Sequence, residues 1–160
     1  MKTDKKIISY TALTKLREQT KKENRSIVLT TGCYDILHLG HVIHFNYCKS
    51  NADILVVSVG NNETTRHLKG ENRPINDEKF RARMIAALEC VDYVVRFDEE
   101  KPLNLIKTIR PDVLVKGGDY SREQVVGHEI VESYGGTVSL IPVINNASTT
   151  TIIKRIKETS

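Results

Sequence analysis

The sequence predicts an α/β fold: an open parallel sheet of about five strands with helices on both faces. Five short runs rich in β-branched residues are apolar along their length, as strands buried on both sides are. Helix-patterned stretches separate them, and this alternation implies right-handed βαβ crossovers. Local punctuation agrees: Asn76 and Asp77 suit a helix cap, Pro111 stops a helix, and Gly135-Gly136 ends another.

In chain order, Thr11 to Lys22 reads as a helix and Ile27 to Thr31 as the first strand. Leu39 to Ser50 is the next helix and Ile54 to Gly60 the second strand. Asn61 to Asn76 has no clear period and carries Lys69, Gly70, Arg73 and Pro74, so it reads as a long polar loop of the kind that usually has a function. Helix Asp77 to Leu88, strand Tyr93 to Phe97, helix Pro102 to Ile109 and strand Val113 to Lys116 follow. Helix Arg122 to Tyr134, strand Val138 to Ile141 and a last helix from Thr149 to Lys157 complete the pattern. In such a Rossmann-like sheet, ligands bind outside the carboxyl ends of the strands, so the segments after each strand are the place to look for chemistry.

A chain of 160 residues suits a single domain, 1–160, able to bury a core without disulfides or structural metal. No secretory h-region precedes residue 10, and the densest apolar run, Ala52 to Val59, is too short to span a bilayer; a cytoplasmic protein with no membrane partner is expected. Three cysteines, Cys33, Cys48 and Cys90, without a CxxC pair, argue against a disulfide framework or zinc site, and Cys48 and Cys90 read as small core hydrophobes. With 24 Lys plus Arg against 20 Asp plus Glu, the net charge is +4. The basic residues are scattered among acids, which suits an anionic small substrate better than nucleic acid.

Directly after the first strand runs Thr30-Thr31-Gly32-Cys33-Tyr34-Asp35-Ile36-Leu37-His38-Leu39-Gly40-His41. His38 and His41, three apart at a helix start, share a face, and Gly40 removes the side chain that would hold a phosphate off the backbone. Free N–H groups and the helix dipole attract an anion there, to which the imidazoles would donate. One core and one surface histidine is the plainer reading of a lone His-x-x-His. A metal pair is a third, although a catalytic zinc usually has three protein ligands and no third partner is evident.

With His38-Leu39-Gly40-His41 as its HxGH mark, the chain resembles the cytidylyltransferase-like nucleotidyltransferase superfamily over nearly its whole length after Arg25. It is most similar to heptose 1-phosphate adenylyltransferase, through Thr31 to His38, His67 to Gly70 with Arg73 to Asn76, Pro111 to Tyr120, and Ala147 to Ile153. Thr31 and Tyr34 depart from the Asn and Phe common there, and no sugar-kinase-like region precedes the transferase blocks, which leads to the expectation of a stand-alone enzyme. The resemblance further implies ATP as substrate, Mg²⁺ bound mainly through the nucleotide phosphates, a sugar 1-phosphate acceptor and a homodimer. Val91 to Val95 is the stretch where related enzymes often pair.

Under this resemblance His38, His41 and Lys69 are the expected catalytic residues. Thr31, Gly32, Cys33, Tyr34, Gly40, Lys116, Gly117, Asp119, Ser148, Thr149 and Thr150 would bind the nucleotide, and Asp35, Arg73 and Arg81 the acceptor. Beside each stands a plainer alternative. Lys69, expected to swing onto the triphosphate from a flexible loop, is otherwise a solvated lysine. Lys116 to Asp119 follows the fourth strand, where glycines admit a nucleoside and Asp119 would accept from ribose or base; a tight turn with a solvated acid is the alternative. Ser148 and Thr149 suit a helix cap that also offers donors to phosphate. Asp35 would orient substrate or help hold Mg²⁺, which needs only one or two carboxylates when phosphates supply the rest, or it caps a turn. Arg81 and Arg83 reach phosphate or lie exposed on their helix.

The reaction expected is in-line attack of an ionised sugar-phosphate oxygen on the α-phosphorus, with charge neutralisation and no protein nucleophile. Two alternatives stand: transfer to another acceptor such as glycerol 3-phosphate, and a nucleotide-binding regulatory module without turnover. The full set of donors counts against the second.

Overall fold

The structure is a computed structural model that describes residues 2–99, 101–118, 121–142 and 148–159. Five strands form one all-parallel sheet: β1 (Ile27–Gly32), β2 (Ile54–Gly60), β3 (Tyr93–Phe97), β4 (Val113–Gly117) and β5 (Thr137–Ile141), in the order β3-β2-β1-β4-β5. The helices are α1 (Tyr10–Lys22), α2 (Leu39–Ser50), α3 (Asn62–Lys69), α4 (Glu78–Ala86), α5 (Leu103–Ile109), α6 (His128–Ser133) and α7 (Thr149–Thr159). Short 3₁₀ turns occupy Lys2–Lys6 and Arg122–Gln124.

Side chains alternate between the sheet's faces, so each strand feeds two cores. Ile27 and Leu29 of β1, with Ile54 and Val56 of β2, pack under Leu13 of α1, Leu105, Ile106 and Ile109 of α5 and Val131 of α6. Val28, Leu55 and Val57 face the other way, against Phe45 and Cys48 of α2 and Ala82, Ile85 and Ala86 of α4. Every residue of β2 is buried, which explains a run that is apolar apart from Ser58. At the amino ends of the strands, aspartates accept the first free strand N–H groups. Asp112 takes Ile27 N and both terminal nitrogens of Arg17, and Asp92 takes Leu55 N.

Three sequence expectations need correction. The stretch after β2 is not a plain loop: Asn61 caps α3 by accepting from Thr64 N, and buried Thr64 and Thr65 supply an inner face with no hydrophobic period to betray it. The predicted helix 122–134 is broken into a 3₁₀ turn and α6. Gly127 takes φ 88° and packs against Ile106, where no L side chain would fit. Finally, Val91, Val94 and Val95 are fully buried, and Ile8 N donates to Val94 O along the outer edge of β3. Most of the expected pairing stretch is therefore covered by the chain itself.

Candidate active site

The order β3-β2-β1-β4-β5 reverses direction at β1, whose neighbour on one side is β2 and on the other β4. A crevice must open there above the carboxyl ends of the strands. It is filled by a cleft of about 730 Å³ to which β1, α2, α3, β4 and the start of α7 all contribute.

The β1–α2 connection forms its floor. Tyr34 holds φ 49°, a left-handed conformation that turns its ring back over Gly32; a Cβ on Gly32 would lie 2.7 Å from Tyr34 Cζ, so only glycine fits beneath it. His38 occupies the N-cap of α2 in extended conformation, and its side chain makes no capping hydrogen bond. Its ring stacks on His41 with centroids 3.8 Å apart, and the Tyr34 ring meets His41 edge-on at 5.3 Å. Nδ1 of both His38 and His41 is buried without a hydrogen-bond partner among the described residues. Burial pushes the His41 pKa down to about 3, and the neighbouring His38 and His44 push the same way; burial also lowers His38. Both rings are therefore neutral at pH 7, and each carries one N–H.

Lys116 and Lys69 bring positive charge to the cleft. Lys116 Nζ donates to Thr31 O at 3.1 Å, and burial lowers its pKa, an effect Cys33 offsets and Lys69 reinforces. Lys69 is exposed at the last position of α3, so its reach comes from its own side chain and not from a flexible loop. Across the cleft, Ser148 Oγ accepts Thr151 N at 3.1 Å, and Thr149 Oγ1 donates to Ile36 O at 3.3 Å. The last helix is thereby tied to the His38 loop.

Asp35 and Arg81 are both held by hydrogen bonds within the protein. Asp35 is 2% exposed and accepts from Arg73 Nε at 2.7 Å and from the backbone N–H groups of Ile75 and Asn76. Burial opposes its charge, but these donors more than compensate and leave its pKa below the usual carboxylate value. Both carboxylate oxygens are thus engaged by the protein, and Arg73 is engaged in turn. Arg81 is not an exposed helical arginine: it is fully buried beneath the cleft and donates to Cys33 O, Asn76 O and Asn62 Oδ1. It braces three segments and does not line the cleft.

The structure thus gathers Thr31, Gly32, Cys33, Tyr34, Asp35, His38, Gly40, His41, Lys69, Arg73, Lys116, Gly117, Ser148, Thr149 and Thr150 around one cleft. Asp119 lies outside the described residues. Sequence reading passed over His44, Phe97 and Lys101, which also line it. His44 had a signal, being three residues beyond His41 on the same helix face; Phe97 and Lys101 had none beyond following a strand.

Fold and cleft together place the chain in the Rossmann-like α/β class, with its ligand cleft at the topological switch point of the sheet. The cytidylyltransferase-like family profile matches residues 29–155, and the chain belongs to that family. Its relatives include the bifunctional protein HldE of Geobacter metallireducens, 49% identical over 154 residues (96% of this chain, 31% of that protein). HldE of Alcanivorax borkumensis is 50% identical over 141 residues (88% of this chain, 30% of that protein). The chain spans about 31% of the length of the first of these relatives. Among solved structures, a lipopolysaccharide core biosynthesis protein from Thermoplasma volcanium superimposes with TM-score 0.60 at 29% identity, covering 75% of this chain and 97% of that one. A pantoate-beta-alanine ligase from Francisella tularensis, TM-score 0.64 at 16% identity, covering 88% and 67%, shares the fold.

Proposed function

We propose that this protein transfers AMP from ATP to a sugar 1-phosphate, D-glycero-D-manno-heptose 1-phosphate, giving an ADP-sugar and pyrophosphate. The observation that carries this reading is the stacked His38–His41 pair at the start of α2, in a cleft that also holds Lys69, Lys116 and the start of α7. Neutral imidazoles suit direct displacement: they donate hydrogen bonds without serving as nucleophile or needing to be deprotonated.

An oxygen of the acceptor phosphate attacks the α-phosphorus, the bond from that phosphorus to the α,β-bridging oxygen breaks opposite it, and pyrophosphate leaves. His38 and His41 donate to α- and β-phosphate oxygens, where charge redistributes in the transition state. Lys69 and Lys116 neutralise the triphosphate from two sides, and the hydroxyls and first-turn N–H groups at Ser148, Thr149 and Thr150 add donors.

Magnesium fits this site as an ion carried by the nucleotide. The carboxylate oxygens of Asp35 are held by Arg73 and backbone N–H groups, and no cluster of three or more His, Cys, Asp or Glu suited to a metal occurs among the described residues. The triphosphate oxygens would supply most of its ligands, and its contribution is neutralisation of the departing charge. Three free cysteines suit a reducing cytoplasm, and no described helix is long and apolar enough to cross a membrane. The homodimer implied by resemblance belongs to the same reading, with a surface other than the β3 edge.

The test is a pyrophosphate-release screen of nucleoside triphosphates against sugar phosphates. ATP with heptose 1-phosphate is expected to turn over best. Turnover of CTP with glycerol 3-phosphate, and none with heptose phosphate, would overturn the acceptor and base assignments together.

A further inference from the structure

His44 has no place in the transfer chemistry, yet it is the third histidine in register on α2 and 8% exposed. Its Nε2 lies 2.7 Å from Thr30 Oγ1, and Thr30 Oγ1 lies 3.1 Å from the Tyr34 hydroxyl. Thr30 is fully buried in β1, so the Thr30 hydroxyl bridges the phenol and the imidazole out of reach of solvent. The Tyr34 ring rests on Gly32, meets Phe45 at 5.0 Å and stands edge-on to His41 at 5.3 Å. On its other side, His44 Nδ1 reaches Gly117 so closely that a Cβ there would be 3.0 Å away.

We infer that Tyr34, Thr30 and His44 form a buried hydrogen-bond relay that positions His41, with Tyr34 O–H donating to Thr30 and Thr30 O–H donating to Nε2 of a His44 that carries its proton on Nδ1. The inference rests on the transfer reading above and extends it to Thr30 and His44, which the transfer chemistry does not use.

Counting donors and ranking acceptors gives the direction. The Tyr34 hydroxyl has one hydrogen-bond partner among the described residues, Thr30, and its proton must go there or be buried without an acceptor. Thr30 has one hydroxyl proton and two further neighbours, His44 Nε2 and the Cys48 thiol; an imidazole nitrogen is a much stronger acceptor than a thiol sulfur, so the proton goes to His44. The reverse order, with Nε2–H donating to Thr30 and Thr30 donating to Tyr34, would strand the phenolic proton in the core. The Cys48 sulfur lies 3.6 Å from the same Nε2, and burial pushes its pKa up to about 12, so it stays a thiol and brings no negative charge to the cluster. With Nδ1–H of His44 turned to the carboxyl end of β4, the relay spans from the wall that carries Lys116 and Gly117 to the ring against which His41 is set. A rotation of Tyr34 would move the surface on which the His41 imidazole leans, and small misplacements of a preorganised donor are felt as lost rate.

The test combines imidazole ¹⁵N NMR with kinetics on Thr30→Val, which keeps the shape and removes the bridge, and on Thr30→Ser, which restores the hydroxyl. Expected are the Nδ1–H signature for His44 in the wild type and its loss in Thr30→Val. The kinetic expectation for Thr30→Val is a drop of about tenfold in kcat per folded molecule, nucleotide KM within about twofold, and recovery in Thr30→Ser. An Nε2–H signature in the wild type overturns the relay, and so does unchanged kcat in Thr30→Val. A lower melting temperature alone, with kcat per folded molecule preserved, makes the cluster structural and also overturns it. If the wild type releases no pyrophosphate with any substrate pair, the transfer reading fails, and the tautomer of His44 by itself still decides for or against the relay.

Discussion

His41 is a half-buried base that the fold keeps neutral, and that has consequences for both rate and stability. Its Nδ1 lacks a partner among the described residues, so the imidazole adds little internal hydrogen bonding, while its ring lines the cleft. His41→Ala is expected to lower kcat by about 10² to 10³, roughly 3 to 4 kcal/mol of transition-state stabilisation, with a smaller change in nucleotide affinity. Turnover number, affinity and thermal midpoint on one variant check this; near-normal kcat would sink the catalytic role. The pH dependence follows from the same burial. In the unfolded chain the ring titrates near 6.5, whereas burial pulls His41 to about 3 and His44 to about 4. Below 6.5 the unfolded state binds protons the folded state does not. The stability these residues contribute is therefore complete above 6.5 and is lost as pH falls toward 4 and then 3. The ligand-free midpoint should fall between pH 7 and pH 5, and His44→Gln should make that fall shallower. A variant slope as steep as the wild type's would contradict the assignment.

Among the elements, α3, α4 and the β1–α2 connection are held as a unit by charged groups placed under the cleft. Arg81 on α4 donates to Cys33 O and to Asn62 Oδ1, while Asp35 accepts from Arg73 and from the N–H groups just ahead of α4. The position of Lys69 at the end of α3 depends on this bracing, since Asn62 at its start is one of the braced points. Arg81→Met leaves buried acceptors without donors, at about 1 to 3 kcal/mol for a buried unsatisfied group, so a lower melting temperature with nucleotide KM nearly unchanged in the surviving folded protein is expected. A phosphate-binding role would give the opposite pattern, a raised KM at a normal melting temperature. Calorimetry and KM measured on one preparation separate the two.

For the molecule as a whole, both hydrophobic clusters hang on the same five strands, because consecutive residues of each strand feed opposite faces. Neither layer can keep its core once the sheet is lost. A single cooperative thermal transition is expected, with near- and far-ultraviolet circular dichroism giving the same midpoint. Separated midpoints would mean that one layer folds independently of the other.

The sequence by itself determined the strands, since β-branched runs buried on both faces leave little else to form, and the boundaries of β2, β3 and α2 agree residue for residue with expectation. It also marked His38, Gly40, His41, Lys116 and Ser148 as candidate site residues, because each lies at the carboxyl end of a strand or near the start of a helix, and the fold brings them to one cleft. What it left undecided depends on contacts between distant segments. Helix α3 has polar residues on its buried face, so hydrophobic period could not reveal it. Asp35 and Arg73 are 38 positions apart and Arg81 and Cys33 are 48 apart, so only folding shows that these charges bind each other or the backbone. The same holds for His44. Only the arrival of Thr30 from β1 and Gly117 from β4 gave its two nitrogens different surroundings.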